Sequence, residues 1–185
     1  MLKLIATVIG VCLFTGTIFA EQVDNPAYQN WARFKPGTSV IHSQQTAMGG
    51  MNMQMEMTQT LKELTPEKAV VDMTVKNSMM PGGGQTSSVT IPAKVDASQA
   101  QAPGKMPEGM KGEAKSLGKE TVKVSDKSYE CEVTQFTGEG QGMKSEGKSW
   151  TSNEVPGSMV KMEMKASGGQ GSMDSKMSLK SVVIK

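Results

Sequence analysis

Met51-Asn52-Met53-Gln54-Met55-Glu56-Met57 alternates methionine with polar residues at a strict period of two. Successive strand side chains point to opposite faces, so a strand gathers all four thioethers on one side. A helix would scatter them. The stretch therefore predicts a half-buried antiparallel strand, and Met162 with Met164, then Met173 with Met177, repeat the signature further on. Val71, Met73 and Val75 alternate with polar residues in the same way.

Working outward, Gly49-Gly50 suits a two-residue hairpin turn, and Thr65-Pro66-Glu67-Lys68 suits a type I turn. A hairpin symmetric about Gly49-Gly50 sets Met48 against Met51, Gln44 against Met55 and His42 against Met57. An odd-length loop would instead place Ala47, Ser43 and Ile41 among the methionines. The sequence leaves both registers open. Further strands are expected near 38–48, 51–62, 68–79, 85–95, 120–124, 128–137, 143–151, 158–166 and 172–184.

One helix is expected over 26–34. Asn25 is a good N-cap, Pro26 is at home in the first helical position, and Ala27, Trp31 and Phe34 form one apolar stripe before Pro36-Gly37 ends it. Residues 96–119, rich in Ala, Gln, Gly, Pro and Lys, lack periodicity and read as a flexible insertion, either a lid or a disordered connection.

The N-terminus carries Lys3, an apolar run from Leu4 to Phe14 and a more polar exit to Ala20. That order is a secretory signal peptide over 1–20, and the run is too short to span a bilayer. Cys12 lies in the apolar region without a small residue before it, which argues against lipid attachment there. Residues 21–185 are then one β-rich domain, periplasmic or extracellular, with no membrane span after cleavage. Once Lys3 is removed with residues 1–20, nineteen of the twenty basic residues remain beside eighteen acidic ones, interspersed, and give no electrostatic case for nucleic acid. Cys131 is left without an internal disulfide partner and reads as a small buried hydrophobe, its flanking acids raising the thiol pKa.

The fold expected is all-β: a strongly curved antiparallel meander, half-barrel or barrel-like, with one short N-terminal helix on its apolar face. Trp31, Met53, Met55, Val71, Met73, Tyr129, Cys131, Val133, Val160, Met162, Met164, Met177 and Leu179 should be largely buried.

Chemistry is sparse. Gly142-Met143-Lys144-Ser145-Glu146-Gly147-Lys148-Ser149 matches the phosphate-loop pattern, but strand and turn residues follow where a helix is needed. No nucleophile elbow accompanies the single histidine, His42, and Glu130 with Glu132 share a solvated strand face. No spacing fits zinc or calcium. No catalytic residue, metal ligand or cofactor is therefore assigned, and ligand-binding residues remain unassigned. The expectation is a non-enzymatic exported protein that binds an apolar molecule, lipid or partner on its curved sheet, or serves a structural role. A Met-rich periplasmic Cu(I)-binding protein is the alternative, with Met55, Met57 and His42 as the donors to consider, but packed core is the commoner fate of methionine, so the sequence predicts no specific Cu(I) binding beyond that of the unfolded chain.

Asn25-Pro26-Ala27-Tyr28 with Trp31, Phe34-Lys35-Pro36-Gly37, Trp150-Thr151-Ser152 with Glu154-Val155-Pro156-Gly157, and Val160-Lys161-Met162-Glu163 resemble small exported bacterial β-rich proteins of unknown function. More remotely, a signal peptide, a short helix and a curved antiparallel sheet resemble the LolA-like periplasmic lipoprotein carriers. That resemblance implies an apolar concave face holding acyl chains. It transfers no residue motif, and the long loop and scarce aromatics depart from it.

Overall fold

The computed structural model describes residues 21–77, 84–97, 111–140, 142–169 and 171–185. The signal peptide expected at 1–20 lies outside them.

Asn25 caps the helix as expected, its side chain accepting from the Ala27 N–H at 3.0 Å. Helix α1 covers only Pro26–Trp31. Phe34 lies beyond its end, where its N–H donates to the Trp31 carbonyl. The strands are β1 (Gln22–Asp24), β2 (Ser39–Met48), β3 (Met51–Leu64), β4 (Lys68–Asn77), β5 (Gln85–Pro92), β6 (Lys94–Asp96), β7 (Lys111–Val124), β8 (Lys127–Gly140), β9 (Met143–Thr151), β10 (Met159–Gly168) and β11 (Gly171–Val183).

Nine of these form one antiparallel sheet in the order β5-β4-β3-β2-β11-β10-β9-β8-β7, while β1 and β6 pair separately. Two meanders, β2 to β5 and β7 to β11, thus meet where the first strand of one pairs with the last strand of the other. The sheet curls strongly: Cα atoms of β7 and β11 approach within 8 Å although β8, β9 and β10 intervene. Register shifts at Leu61/Glu63, Ser116/Gly118, Met159/Lys161 and Leu179/Ser181 add local twist.

Strand β7 begins at Lys111 rather than at 120, so the aperiodic stretch does not extend to 119 as loop; 98–110 lie outside the described residues. The alternation expected of a strand is absent because almost every side chain of this edge strand is exposed. Strands β1 and β6 were not anticipated either. At three residues each they are too short to show a period.

At the helix end of the sheet, Val40, Leu61, Ala69, Val71, Val160 and Leu179 pack with Trp31 and with Val155 from the β9–β10 loop. Tyr129, Cys131, Val133 and Trp150 join the same cluster. Tyr28 fixes α1 by donating its hydroxyl to the Thr65 carbonyl at 2.7 Å. In the turn that follows, the Thr65 hydroxyl accepts from the Glu67 and Lys68 N–H groups.

Leu61 is fully buried at this sealed end, so Leu61→Ala should lower unfolding stability by about 2–5 kcal/mol. Glu56, on the opposite face of the same strand, holds only the exposed Lys180 ammonium, and Glu56→Gln should leave the melting temperature essentially unchanged. Denaturant unfolding of both variants checks the face assignment, and the reverse ranking overturns it.

Candidate functional site

Both central glycines of the first hairpin have positive φ, +56° at Gly49 and +82° at Gly50. That is the two-residue turn whose twist matches the flanking strands. It selects the symmetric register: Met48 faces Met51, Gln44 faces Met55 and His42 faces Met57.

With that register set, four rungs can be followed across the sheet on one face. The first is Val75–Met57–His42–Leu179. The second is Met55–Gln44–Met177–Met162–Ser149. The third is Met53–Thr46–Ser175–Met164–Gly147–Phe136, and the fourth is Met51–Met48–Met173–Ala166–Ser145–Gly138. A polar stripe of His42, Gln44, Thr46 and Ser175 therefore runs down the middle strands, with thioethers on either side.

The stripe is internally bonded. Gln44 donates its amide to the Ser175 hydroxyl at 3.1 Å, and the Thr46 and Ser175 hydroxyls lie 3.2 Å apart. His42 is 2% exposed, and its Nε2–H donates to the Met159 carbonyl at 2.9 Å. A carbonyl only accepts, so the neutral ring carries its proton on Nε2 and a lone pair on Nδ1. Nδ1 is buried with no hydrogen-bond partner among the described residues. Burial pushes the imidazole pKa below its ordinary value, against the smaller opposing effect of the Met159 carbonyl.

Of the side chains expected in the core, Trp31, Val71, Tyr129, Cys131, Val133, Val160, Met177 and Leu179 are buried. Met53, Met55, Met73, Met162 and Met164 are only half-buried. Every departure is a methionine, and Met48 and Met51 at the hairpin tip are 44% and 55% exposed. Beside that tip, a cavity of about 1100 Å³ spans the β2–β3 turn and the neighbouring ends of β7 to β11. Met48 and Met173 line it together with charged Lys144, Lys165, Glu146 and Asp174, so it is mixed in character rather than an apolar pocket.

Other sequence candidates separate. The phosphate-loop match lies largely on strand β9, with no helix following. Its Gly147 has a packing cause: a Cβ there would sit 2.5 Å from the Phe136 ring and 2.4 Å from the Glu163 carbonyl. Glu130 and Glu132 are exposed, and Glu130 pairs with Lys119 at 2.7 Å. Cys131 is buried and its thiol pKa is raised first by burial, with Glu120 and Glu154 adding. The flanking Glu130 and Glu132 are not the charges responsible. Among the described residues, no group of three or more His, Cys, Asp and Glu side chains is arranged for a metal ion. The buried stripe of His42, Thr46 and Ser175 was missed by pattern reading, because polar residues at strand spacing look like a solvated face. The signal available was parity, which His42 and Thr46 share with buried Val40, and Ser175 with buried Met177 and Leu179.

No protein-family model and no curated protein matches this chain. Among solved structures, it is similar to a protein described as exported, with a YmcC-like fold, from Bacteroides fragilis: 12% identity, TM-score 0.47, 81% of this chain and 97% of that one. A protein described as a lipoprotein from Parabacteroides distasonis matches at 9% identity, TM-score 0.46, over 80% and 96% of the two chains. An outer-membrane lipoprotein-sorting domain from Vibrio parahaemolyticus matches at 8% identity, TM-score 0.23, over 86% and 90%. Identities this low transfer no residue role.

His42 is the only histidine, so its ring proton signals are unambiguous in NMR. Its titration should fall below the ordinary value of about 6.5. The unfolded chain then takes up the proton first, so this contribution to stability is complete above the unfolded pKa and is lost as pH falls toward the folded value. The depressed carboxyls of Glu56, Asp72 and Glu163 lose their contribution only in a more acidic window. A measured His42 pKa at or above 6.5 would contradict the buried neutral ring.

Proposed function

We propose that this is an exported, non-enzymatic binding protein that holds an apolar molecule, such as a lipid acyl chain, against the methionine end of its curved sheet. One observation carries the reading. The face sealed by Val40, Leu61, Val71 and Leu179 at the helix end is left half-covered at the other end, and the side chains left there are thioethers.

Methionine is unbranched and flexible, so it conforms to an apolar guest without a preformed mould. Fully covering a methionine is worth roughly 1.5–3 kcal/mol, so each half-buried one keeps about half of that in reserve. Met53, Met55, Met57, Met162 and Met164 together offer an occupant several such increments, less the cost of its own ordering. The Gln44–Thr46–Ser175 cluster satisfies its hydroxyls internally, so the stripe does not demand water from the bound state.

Native mass spectrometry of protein purified without detergent should show a retained acyl-chain adduct. An apolar fluorescent probe should bind the delipidated protein and be displaced by a free fatty acid. Met55→Glu combined with Met164→Glu, checked for intact fold by circular dichroism, should abolish both signals. Recovery of bare protein only, with probe fluorescence indifferent to these charges, would leave a structural role.

A further inference from the structure

A second chemistry is written into the same face by its one histidine. Metal-bound imidazoles characteristically donate the non-ligating N–H to a backbone carbonyl or carboxylate, which fixes the tautomer and aims the free lone pair. His42 shows that half of the arrangement already: Nε2–H is committed to the Met159 carbonyl at 2.9 Å, and buried Nδ1 has no hydrogen-bond partner among the described residues. An unpaired acceptor in an interior is costly, of the order of 1–3 kcal/mol, so a group that meets its lone pair is stabilising.

The neighbours on the face decide which occupant fits. Met57 sits directly across from His42 on β3. Met55 and Met177, both paired with Gln44, hold the diagonal positions one rung away on β3 and β11. Opposite residues have Cβ atoms about 4.5–5.5 Å apart and diagonal ones about 7–8 Å, within reach of long side chains. Leu179 completes the rung and offers no donor. Thioether sulfur is a soft ligand that selects Cu(I), and imidazole nitrogen accompanies it well. Hard cations and zinc find no carboxylate or thiolate cluster among the described residues.

We propose that His42 Nδ1, the Met57 thioether and a second thioether from Met55 or Met177 form a Cu(I) site. Binding joins one lone pair from nitrogen and one from each sulfur to the ion. No bond breaks, no electron moves, and the ring keeps its Nε2 proton. Met55 and Met57 are half-buried, so both thioether donors lie at the edge of the interior rather than deep within it. The site shares Met55 and Met57 with the apolar-ligand face but does not require that ligand, so delipidated protein is the sample to use.

Anaerobic competition between the folded protein and a chromophoric Cu(I) chelator should show capture of one equivalent. Met57→Leu keeps the side-chain volume and should weaken capture at least tenfold with an unchanged melting curve. Ag(I), a redox-inert substitute, should shift the ¹³C-methyl signal of Met57 together with that of Met55 or Met177, and the ¹⁵N resonance of His42 Nδ1. Capture no tighter than by the urea-unfolded chain overturns the proposal, and the nitrogen is then served by buried water. Capture that survives Met57→Leu but disappears on Met48→Leu with Met51→Leu overturns it equally, placing copper on the exposed hairpin tip.

Discussion

The ladder between β2 and β11 holds the architecture together. Strands β2 to β5 and β7 to β11 are each local meanders closed by short turns, and they share one sheet only because these two strands pair in its centre. Sequence separation makes this pairing the slow, entropically expensive contact, since most of the chain lies between its partners. It also places His42 beside Leu179, Gln44 beside Met177 and Thr46 beside Ser175. The core and the polar stripe are thus products of the same long-range contact.

Around that ladder the sheet is graded from one end to the other. At the helix end, Trp31 and the Ser152–Ser158 loop cover branched and aromatic side chains that are almost fully buried. Close packing with restricted rotamers suits a region that must be unique. Toward the Gly49-Gly50 tip no described element covers the face as completely, and methionine replaces valine and leucine there. A flexible unbranched side chain loses more rotamer freedom when fixed, so it is a poor choice for a sealed core and a good one for a surface that adapts. The same gradient separates what stabilises the domain from what is available for binding.

The polar stripe belongs with neither extreme. Thr46 and Ser175 are buried but bonded to each other and to Gln44, while His42 satisfies one ring nitrogen and leaves the other without a partner among the described residues. Buried polar groups that find partners help to fix strand register, because a slip of one residue would expose the methionines and bury charged Glu56.

Sequence alone determined the all-β class, the helix start at Asn25-Pro26 and most strand limits, because period-two alternation and Gly/Pro turns are local signals. It also placed the methionines on one face. It could not choose the first hairpin's register: both options keep the alternation intact, and only the backbone conformation at Gly49 and Gly50 distinguishes them. Nor could it extend the strand expected at 120–124 back to Lys111, because the residues before 120 are exposed on an edge and carry no period. Burial depth was beyond it as well. Met177 and Met162 face each other across adjacent strands, yet one is buried and the other half-open, a difference set by curl and by what folds over each position. His42 shows the limit most plainly. Its spacing marks it as facing the core, but only the tertiary structure shows that the Met159 carbonyl of β10 accepts from Nε2 while Nδ1 meets no partner among the described residues.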